Sequence, residues 1–572
     1  MGSASSNQGP AISLRTTTHN HPLATRMSVE NPRTESVHDE KADIKAVLDA
    51  KDSVDAAQPS LPRDIKPTFE DYLHFAELQR ELEKRTGDQV EYPEFDDASS
   101  KALSDLEKEK IQARRALKAV EWGSVFFLIT TDILGPFNAP YAFSAVGFVP
   151  GTLLYFFMFA AATWTGGIIW HLFIKLDSGR FPIRNYADLA ERIYGRWARH
   201  VCSILQTVQL IVVVGLISLT AGQSLSQISH AKLCFSVCIV IFILIGMIIG
   251  QIRTLKSYSL LANSAVWLNI LSMIIAMSVV RHRYGPNIGS ATATYGPEYA
   301  TGPVQTAKFV DGTLFSKVNG IMNMVYAYGG AMIFPDFMAE MRHPMDFWKA
   351  MILSQTVIFL VYMVYGVVIY AFQGQYTLPI AFQGLNNYGF QTACNILVMI
   401  SMILGAGLYG NIGIKLAYRQ IIEEWFRGPP FMSKRGRFIW SVMVYIYWTL
   451  AFIIVSSIPA IGAVTGVVGA SVVLQYTYSF PLALMFGFEV MADARQGETY
   501  TPGVDTRVDT WMQWSRWRRG IFSGRWHLKL LHLLAALAAF AMAGLGIWGS
   551  SLAVKQALAV GAATSFGCAA SV

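Results

Sequence analysis

Two segments of the sequence place helix-breaking residues inside apolar stretches, where a freed backbone could bind a ligand. Residues 130–151 read TTDILGPFNAPYAFSAVGFVPG, so Gly135-Pro136 and Pro140 interrupt the first apolar run. A second run, 317–337, carries Tyr-Ala-Tyr-Gly-Gly at its centre. Proline removes a backbone donor and clashes with the preceding turn, so a helix opens there. Open backbone at membrane depth survives only where it is buried in protein or lines a wet cavity, which makes both segments candidate binding sites.

Asp132 is the one acidic residue that lies well inside a predicted membrane span, three residues before Gly135. An ionised carboxylate costs about 2.5–3.5 kcal/mol at the centre of a membrane helix on insertion scales, unless it is protonated or paired. If its pKa is raised, Asp132 is a candidate proton carrier. The alternative is a carboxylate at the mouth of the span that reaches water or a basic loop.

The composition explains why these segments are expected within a membrane. Only 15% of the 572 residues are charged, against about 25% in soluble domains, and the mean hydropathy is +0.36. Residues 1–121 carry 17 basic and 23 acidic groups, a net charge of −6, whereas residues 122–572 carry +13. The chain is therefore an acidic polar tail before an apolar body. This argues against a soluble enzyme and against a collagenous, disulfide-rich or disordered protein.

The cysteines give no sign of a metal site or a disulfide framework. None of the five belongs to a CxxC motif, and four lie in apolar stretches. The pattern favours small packing residues over a disulfide or a metal site. They are Cys202, Cys234, Cys238, Cys394 and Cys568.

Charge-free stretches give the number of membrane spans. A helix needs about 20 residues to cross the hydrocarbon layer. Five stretches fit one helix each, and three longer ones divide at turn signals near 147–151, 373–389 and 456–461. The sequence therefore predicts an all-α membrane protein with eleven transmembrane helices. Barrel strands would alternate over about ten residues, and no such alternation occurs.

Basic residues in the loops predict the orientation of these helices. With a cytoplasmic N-terminus, the inside loops hold 23 lysines and arginines and the outside loops hold six. Cytoplasmic loops are the ones enriched in lysine and arginine. The N-terminus is therefore expected inside and the C-terminus outside.

The two interrupted runs fall at corresponding places in the predicted order of helices. They belong to helices one and six, each the first of a set of five, over 122–281 and 317–491, and helix eleven (527–554) lies outside both sets. Since five is odd, the second set is inverted relative to the first. Broken helices at matching positions of inverted halves indicate a midplane substrate site in secondary transporters. The alternative is two glycine and proline kinks in ordinary packed helices.

The tail, 1–121, is expected to be largely disordered and cytoplasmic. Two helical patterns interrupt it, at about 69–86 and 101–119. They could form a docking or regulatory segment, or they could be solvated helices with helix-pair charges.

Residues 135–143 (GPFNAPYAF) and 149–151 (VPG) form a distinctive run in the first predicted span. Further short motifs lie before the third span and in and after the sixth, at 186–189 (YADL), 327–330 (AYGG), 334–336 (FPD) and 340–344 (EMRHP). Together they resemble the signatures of the amino acid/auxin permease family. The resemblance covers roughly 117–560. Within the family the motifs look most like those of fungal neutral amino acid permeases of the methyltryptophan-resistance type.

The resemblance implies an inverted-repeat fold of the leucine-transporter type and uptake of amino acids. In such a fold, backbone amides freed at Leu134–Asn138 suit a substrate carboxylate, and carbonyls freed at Ala327–Gly330 suit the ammonium group. No acidic residue lies in the GGAMI segment at 329–333, which favours neutral and aromatic substrates over basic ones. The candidate substrate-binding residues are Leu134, Gly135, Pro136, Phe137, Asn138, Ala327, Tyr328, Gly329 and Gly330.

The family also implies coupling to protons, with sodium less expected and no cofactor. Ser401 and Asn411 on helix eight are candidates for a cation site in this fold, and Asn263, Ser264 and Asn269 on helix five could face the pathway.

Three charged residues at the inner end of helix six are candidate gates. Asp336 and Glu340 precede Arg342 there, and we expect an ion pair with Arg342 or Arg184. The sequence contains no HExxH or GxxxxGK[ST] motif, so an enzyme is not expected.

The expected partners are an amino acid substrate and the lipid bilayer, without nucleic acid. The tail could bind regulatory proteins or a ubiquitin ligase. Among membranes, the plasma membrane is favoured over the vacuolar membrane. An amino acid sensor on the same fold, signalling through the tail, is the alternative that composition does not separate from a transporter.

Overall fold

The structure of the protein, a computed structural model, describes ten ranges of the chain. All ten belong to one compact unit, Arg63–Val572. The second helical pattern of the tail, at 101–119, lies outside them. The ten described ranges are 67–86, 120–133, 137–252, 255–281, 285–296, 302–429, 433–458, 460–500, 508–560 and 565–568.

The described ranges fold into eighteen α-helices and contain no β-strand beyond two single-residue bridges. In chain order the helices are α1 (Phe69–Thr86), α2 (Trp122–Ile133), α3 (Ala139–Val146), α4 (Phe148–Leu176), α5 (Tyr186–Tyr194), α6 (Arg196–Ile228), α7 (Phe235–Ile249), α8 (Leu255–Arg281), α9 (Ile288–Tyr295), α10 (Leu314–Ala327), α11 (Phe334–Glu340), α12 (Phe347–Gln373), α13 (Tyr388–Ala417), α14 (Lys434–Ser457), α15 (Ile461–Val468), α16 (Phe480–Ala494), α17 (Trp514–Phe522) and α18 (Trp526–Val560).

The helices confirm the prediction of an all-α membrane protein. Eight helical segments in the described ranges are long and apolar enough to cross a membrane, and α2 and α7 add two shorter apolar helices. One of the eight, Ile461–Ala494, joins α15 to α16 through wide turns of π-helix. The total of eleven crossings and the inverted relation of the two halves stay predictions.

Both predicted breaks are present. In the first span α2 ends at Ile133, a turn at Phe137 and Asn138 follows, and α3 begins at Ala139. Pro140 opens the first turn of α3, where its missing N–H leaves no bond unmade. In the sixth span α10 ends at Ala327, and a short 3₁₀ turn separates it from α11. Helices one and six are therefore discontinuous.

Close packing fixes the second half of the first span in place. A Cβ atom on Gly320 of α10 would lie 2.5 Å from the Cβ of Ala145, so only glycine lets α10 approach α3 this closely. On another side, Phe143 is fully buried, and its ring fills the space that a Cβ on Gly366 of α12 would occupy. The broken span is therefore held between the sixth and seventh.

The N-terminal helix α1 lies at one end of the helix bundle. It packs against α4, which ends at Leu176, and against α5. We call this end, with α5, α11 and α17, the α1 face. The other end, which carries the loop between α6 and α7, is called the opposite face.

The expectation that all five cysteines are packing residues is wrong for two of them. Cys234 and Cys568 form a disulfide across 334 positions of sequence. Two further hydrogen bonds join the same segments, Phe235 N–H to the Cys568 carbonyl and Ser236 Oγ to the Gly567 carbonyl. The fold brings the loop before α7 beside the chain that follows α18, and no local spacing signals such a pairing. The other three cysteines are buried and free, as expected.

Candidate functional site

A cavity of about 100 Å³ lies between the two breaks. Phe137 and Asn138 line it from the first break, and Tyr326 and Gly329 line it from the second. Among the residues that the structure describes, none that lines the cavity carries a charge. Local sequence accounts for the breaks, because glycine and proline interrupt a helix.

The structure brings only some of the predicted binding residues to this cavity. Phe137, Asn138 and Gly329 line it, whereas Ala327, Tyr328 and Gly330 are buried beside it. Residues 134–136 and the side chain of Asp132 lie outside the described part of the structure.

A chain of amide side chains connects the breaks to α15. The Asn138 Nδ2 atom donates to the carbonyl oxygen and to the Oδ1 atom of Asn323, at 3.3 and 3.2 Å. Asn323 in turn donates to the Asn319 carbonyl at 2.8 Å and to the Gly462 carbonyl at 3.1 Å. Sequence reasoning missed Asn323. The available signal was a pair of asparagines, 319 and 323, one helical turn apart in an apolar helix.

Three buried amide oxygens on the cavity wall have no hydrogen-bond partner among the described residues. They are Asn138 Oδ1, Gln209 Oε1 and Asn269 Oδ1, on residues that are 5%, 3% and 1% exposed. An unmade hydrogen bond on a buried polar group costs about 1–3 kcal/mol. These oxygens could therefore accept bonds from a ligand. Of the polar residues named from sequence, Asn269 and Ser401 do line the cavity, whereas Asn411 donates to the Ile252 carbonyl elsewhere.

The remainder of the wall is largely apolar. Helices α6 and α13 contribute apolar side chains to it, and the Phe137 ring packs edge-on against Phe382 at 5.0 Å between centroids. This surface suits an apolar side chain. It includes Val213, Leu216, Ile217, Val398 and Met402.

The Tyr328 side chain is buried beside the cavity and does not line it. Its ring packs against Tyr155 and Tyr362, with centroids 6.1 and 6.3 Å away, and its hydroxyl has no partner among the described residues. Tyr362, which sequence reasoning did not single out, contacts the first break. Its hydroxyl donates to the carbonyl of Ile133, the last residue of α2.

A larger cavity lies next to the central cavity, on the side of the opposite face. It has a volume of about 600 Å³ and shares four lining residues with the central cavity: Pro379, Ile380, Ile461 and Gly462. On the α1 face a third cavity, of about 330 Å³, shares no lining residue with the central one. Within the described ranges, the site thus adjoins one of these two cavities and shares no wall with the other.

Ion pairs and backbone pairing close the α1 face. Lys415 Nζ on α13 lies 3.4 Å from Glu340 Oε1 at the end of α11, a partner that the sequence did not suggest. Val120 N–H donates to the Glu340 carbonyl, and Arg342 N–H donates to the Val120 carbonyl, at 3.3 and 3.0 Å. The chain before the first span is thereby tied to the end of the sixth. Asp336 is half-buried in α11. Asp336, Glu340 and Arg342, the three gate candidates, therefore all lie on the α1 face.

Arg199 forms the other ionic junction on the α1 face. It pairs with Glu191 and Asp188 of α5 at 2.9 and 3.8 Å. It also pairs with Glu424 of the π-helical turn that follows α13. The junction therefore links three elements below the central cavity.

The chain is similar to known transport proteins over most of its length. A family model of transmembrane amino acid transporter proteins matches residues 118–497, more than half of the chain. The N amino acid transport system protein of Neurospora crassa is 23% identical over 409 residues, which cover 70% of this chain and 83% of that protein. A transmembrane transporter of Gibberella moniliformis is 23% identical over 467 residues, covering 79% and 88% of the two chains.

Among solved structures the chain is similar to Mhp1, a nucleobase-cation-symport-1 family transporter in a closed conformation with bromovinylhydantoin bound. The TM-score is 0.44 and the sequence identity 12%, over 78% of this chain and 93% of Mhp1.

The family match agrees with the motif resemblance and with the apolar helices that surround an uncharged cavity. Members of this family are membrane transporters, so the chain is a transporter and not an enzyme. The chain belongs to the transmembrane amino acid transporter family.

Proposed function

We propose that the chain imports neutral amino acids, both aliphatic and aromatic, by secondary active transport. The observation that carries the proposal is the cavity between the two helix breaks, whose described lining residues include no charged side chain. A basic or acidic substrate would leave its side-chain charge unpaired in such a site, and burying an unpaired charge is strongly unfavourable. A neutral side chain meets no such penalty against the apolar wall.

In this proposal the backbone at the breaks binds the two charged groups that every amino acid carries. Amides at Leu134–Asn138 bind the carboxylate, and carbonyls at Ala327–Gly330 bind the ammonium group. The unpartnered oxygens of Asn138, Gln209 and Asn269 supply further acceptors for the ammonium group. The side chain then lies against the aliphatic residues of α6 and α13.

Alternating access is supported by the difference in how the central cavity borders the two other cavities. In the described residues it shares its lining with the cavity on the opposite face and none with the cavity on the α1 face. Substrate would enter from the opposite face and leave after the ion pairs of Glu340 and Arg199 on the α1 face have separated.

We further propose that the α1 face is cytoplasmic and the C-terminus extracellular. The loop charges favour this orientation. The Cys234–Cys568 disulfide on the opposite face gives independent support, because disulfides persist on the oxidising side of a membrane. The plasma membrane is favoured over the vacuolar membrane.

Proton symport is the proposed coupling, with sodium less expected, and Asp132 remains the candidate carrier. Uptake of leucine by proteoliposomes should rise as the outer pH falls, and Asp132→Asn should abolish that rise. If the variant keeps the wild-type pH dependence, Asp132 has no part in coupling. Comparing proton and sodium gradients on the wild type identifies the coupling ion.

A competition panel tests the substrate class. We expect unlabelled leucine, phenylalanine and tryptophan to inhibit uptake of labelled leucine, and lysine and glutamate to have no effect at the same concentration. Equal inhibition by lysine would contradict the assignment of a neutral site.

A further inference from the structure

The N-terminal helix α1 is docked along one full side. Its apolar residues Phe69, Leu73, Phe75 and Ala76 are all buried, whereas Glu77 is exposed. A short amphipathic helix of this kind is marginal by itself and is stabilised by what its apolar face packs against. The partners of that face therefore decide what α1 does.

One attachment is to the end of the second span. Arg80 of α1 is only 8% exposed, and its Nη2 atom donates to the Asp177 carboxylate at 3.1 Å and to the Asp177 carbonyl at 3.2 Å. Its Nε atom donates to the Ile174 carbonyl at 3.3 Å. The guanidinium thus caps the carboxyl end of α4, where free carbonyls and the helix dipole favour a cation.

Two cation–π contacts extend this attachment to the loop after α4 and to α5. Arg180 lies 4.7 Å from the centre of the Phe75 ring. Arg192 of α5 lies 4.7 Å from the centre of the Tyr72 ring. Burial raises the pKa of the Tyr72 hydroxyl, so that side chain stays neutral beneath the guanidinium.

The second attachment is to the tenth span and the chain that follows it. The Phe69 ring packs edge-on against Phe488 of α16, with centroids 5.7 Å apart. The Tyr500 hydroxyl donates to the buried Asp71 carboxylate. Glu70 lies 3.5 Å from Arg516 of α17.

Arg516 makes this second attachment rigid. Its side chain is 1% exposed and also pairs with Glu498 at 2.9 Å and with Asp509 at 3.3 Å. A hydrogen bond from Arg519 lowers the pKa of Asp509 to about 2, so the carboxylate stays ionised at physiological pH. The segment after α16 is therefore a fixed base for α1.

We propose that α1 is an intramolecular clamp: it ties the second span to the tenth across the α1 face, and it must release before that face opens. The two attachments lie on elements from different halves of the predicted repeat. Relative movement of those halves would stretch one rigid helix held at both ends, with a buried arginine at one of them. The clamp rests on the proposed alternating access, because a fixed channel would need no release.

Cysteine labelling during transport tests the release. Ala76→Cys places a small thiol in the buried interface, and Glu77→Cys places one on the exposed side as the matched control. The background is low because Cys202, Cys238 and Cys394 are buried and the other two cysteines form the disulfide. The variants are treated with a membrane-impermeant maleimide in vesicles whose α1 face points outward, with and without leucine and an acidic lumen.

We expect leucine and the acidic lumen together to speed labelling of Ala76→Cys severalfold and to leave Glu77→Cys unchanged. Labelling of Ala76→Cys that stays equally slow while the vesicles transport leucine would overturn the clamp and leave α1 a static part of the fold.

Removing one attachment gives a test that does not depend on transport. In the Ala76→Cys background, Arg80→Ala should speed labelling severalfold without any substrate, whereas Lys84→Ala, on the exposed side of α1, should not. Should Arg80→Ala fail to fold, Arg80→Lys and Tyr500→Phe weaken the two attachments more gently. Unchanged labelling in both gentler variants would contradict the proposal. If leucine uptake is absent but Arg80→Ala still speeds labelling, the proposed transport and the release during transport both fail, whereas the attachment of α1 through Arg80 stands.

Discussion

The two faces of the bundle differ in both shape and chemistry. The cavity on the opposite face, about 600 Å³, adjoins the central cavity and shares four lining residues with it. The cavity on the α1 face, about 330 Å³, is separate and is bordered by charged residues of α5, α6 and the turn after α13. The cavity on the opposite face is lined mainly by neutral residues, whereas ion pairs join the elements of the α1 face.

This difference shows how the closed face can open again. Ion pairs hold the α1 face shut, but each charge regains its hydration when the face opens, so the closed state is stabilised only moderately. Charged residues therefore lie where the face must open and close, whereas neutral residues line the binding site.

The largest expected effect comes from removing the amide that joins the breaks. Asn323→Leu leaves the Asn138 donor and the Gly462 carbonyl without their partner, at about 1–3 kcal/mol for each buried group. We expect the substrate affinity to fall at least about tenfold, since ~1.4 kcal/mol corresponds to a factor of ten. Leucine uptake kinetics measure it, with Asn263→Leu on the exposed side of α8 as the control. An unchanged KM would show that the breaks do not form the site.

A second change should open the α1 face more often and so reduce the difference between the two faces. Lys415→Ala leaves the Glu340 carboxylate largely buried without this partner, which destabilises the closed state of the α1 face. That face should then open more often, which maleimide labelling of an introduced Leu416→Cys would detect. Glu340→Gln in the same chain should restore slow labelling.

The matched control for this change is Lys349→Ala. Lys349 pairs with Asp346 at 2.6 Å, but its side chain is 45% exposed, and an exposed pair contributes little. Equal labelling in the two lysine variants would contradict closure by the Glu340 pair.

Two tyrosine variants compare a hydroxyl that bonds to the first break with one that has no partner among the described residues. Tyr362→Phe removes the donor to the Ile133 carbonyl at the end of α2, so uptake should fall severalfold. Tyr328→Phe removes a hydroxyl without a partner among the described residues, so uptake should change less than about twofold. The two variants are compared by initial rates at equal expression. A larger effect of Tyr328→Phe would mean that this hydroxyl contacts the substrate.

The smallest effect on transport is expected at the opposite face. Cys568→Ser removes the disulfide to Cys234, and disulfides typically contribute about 2–4 kcal/mol to stability. We expect a lower Tm with a nearly unchanged KM. Cys234→Ser should match it, and the double variant should add nothing further. A wild-type Tm in all three would show that the bond does not form.

Sequence predicted the features that depend on local chemistry. Glycine and proline open a helix through their own backbone properties, so the residue order alone was enough to locate the breaks near Gly135 and Gly329. The orientation of Tyr328 could not be predicted, because it depends on Tyr155 and Tyr362 from other helices. The same holds for the Glu340–Lys415 pair, which joins two spans. The Cys234–Cys568 bond joins segments 334 positions apart. Helix α1 is held by Asp177 and by Arg516, which lie far from it and from each other in the sequence.

Accumulation of leucine against its gradient tests the central claim most directly. Purified protein in proteoliposomes should concentrate labelled leucine above the outside level when the lumen is alkaline relative to the outside, and a protonophore should release it. Leucine that binds to the protein without accumulating in the lumen would contradict transport and favour an amino acid sensor on this fold.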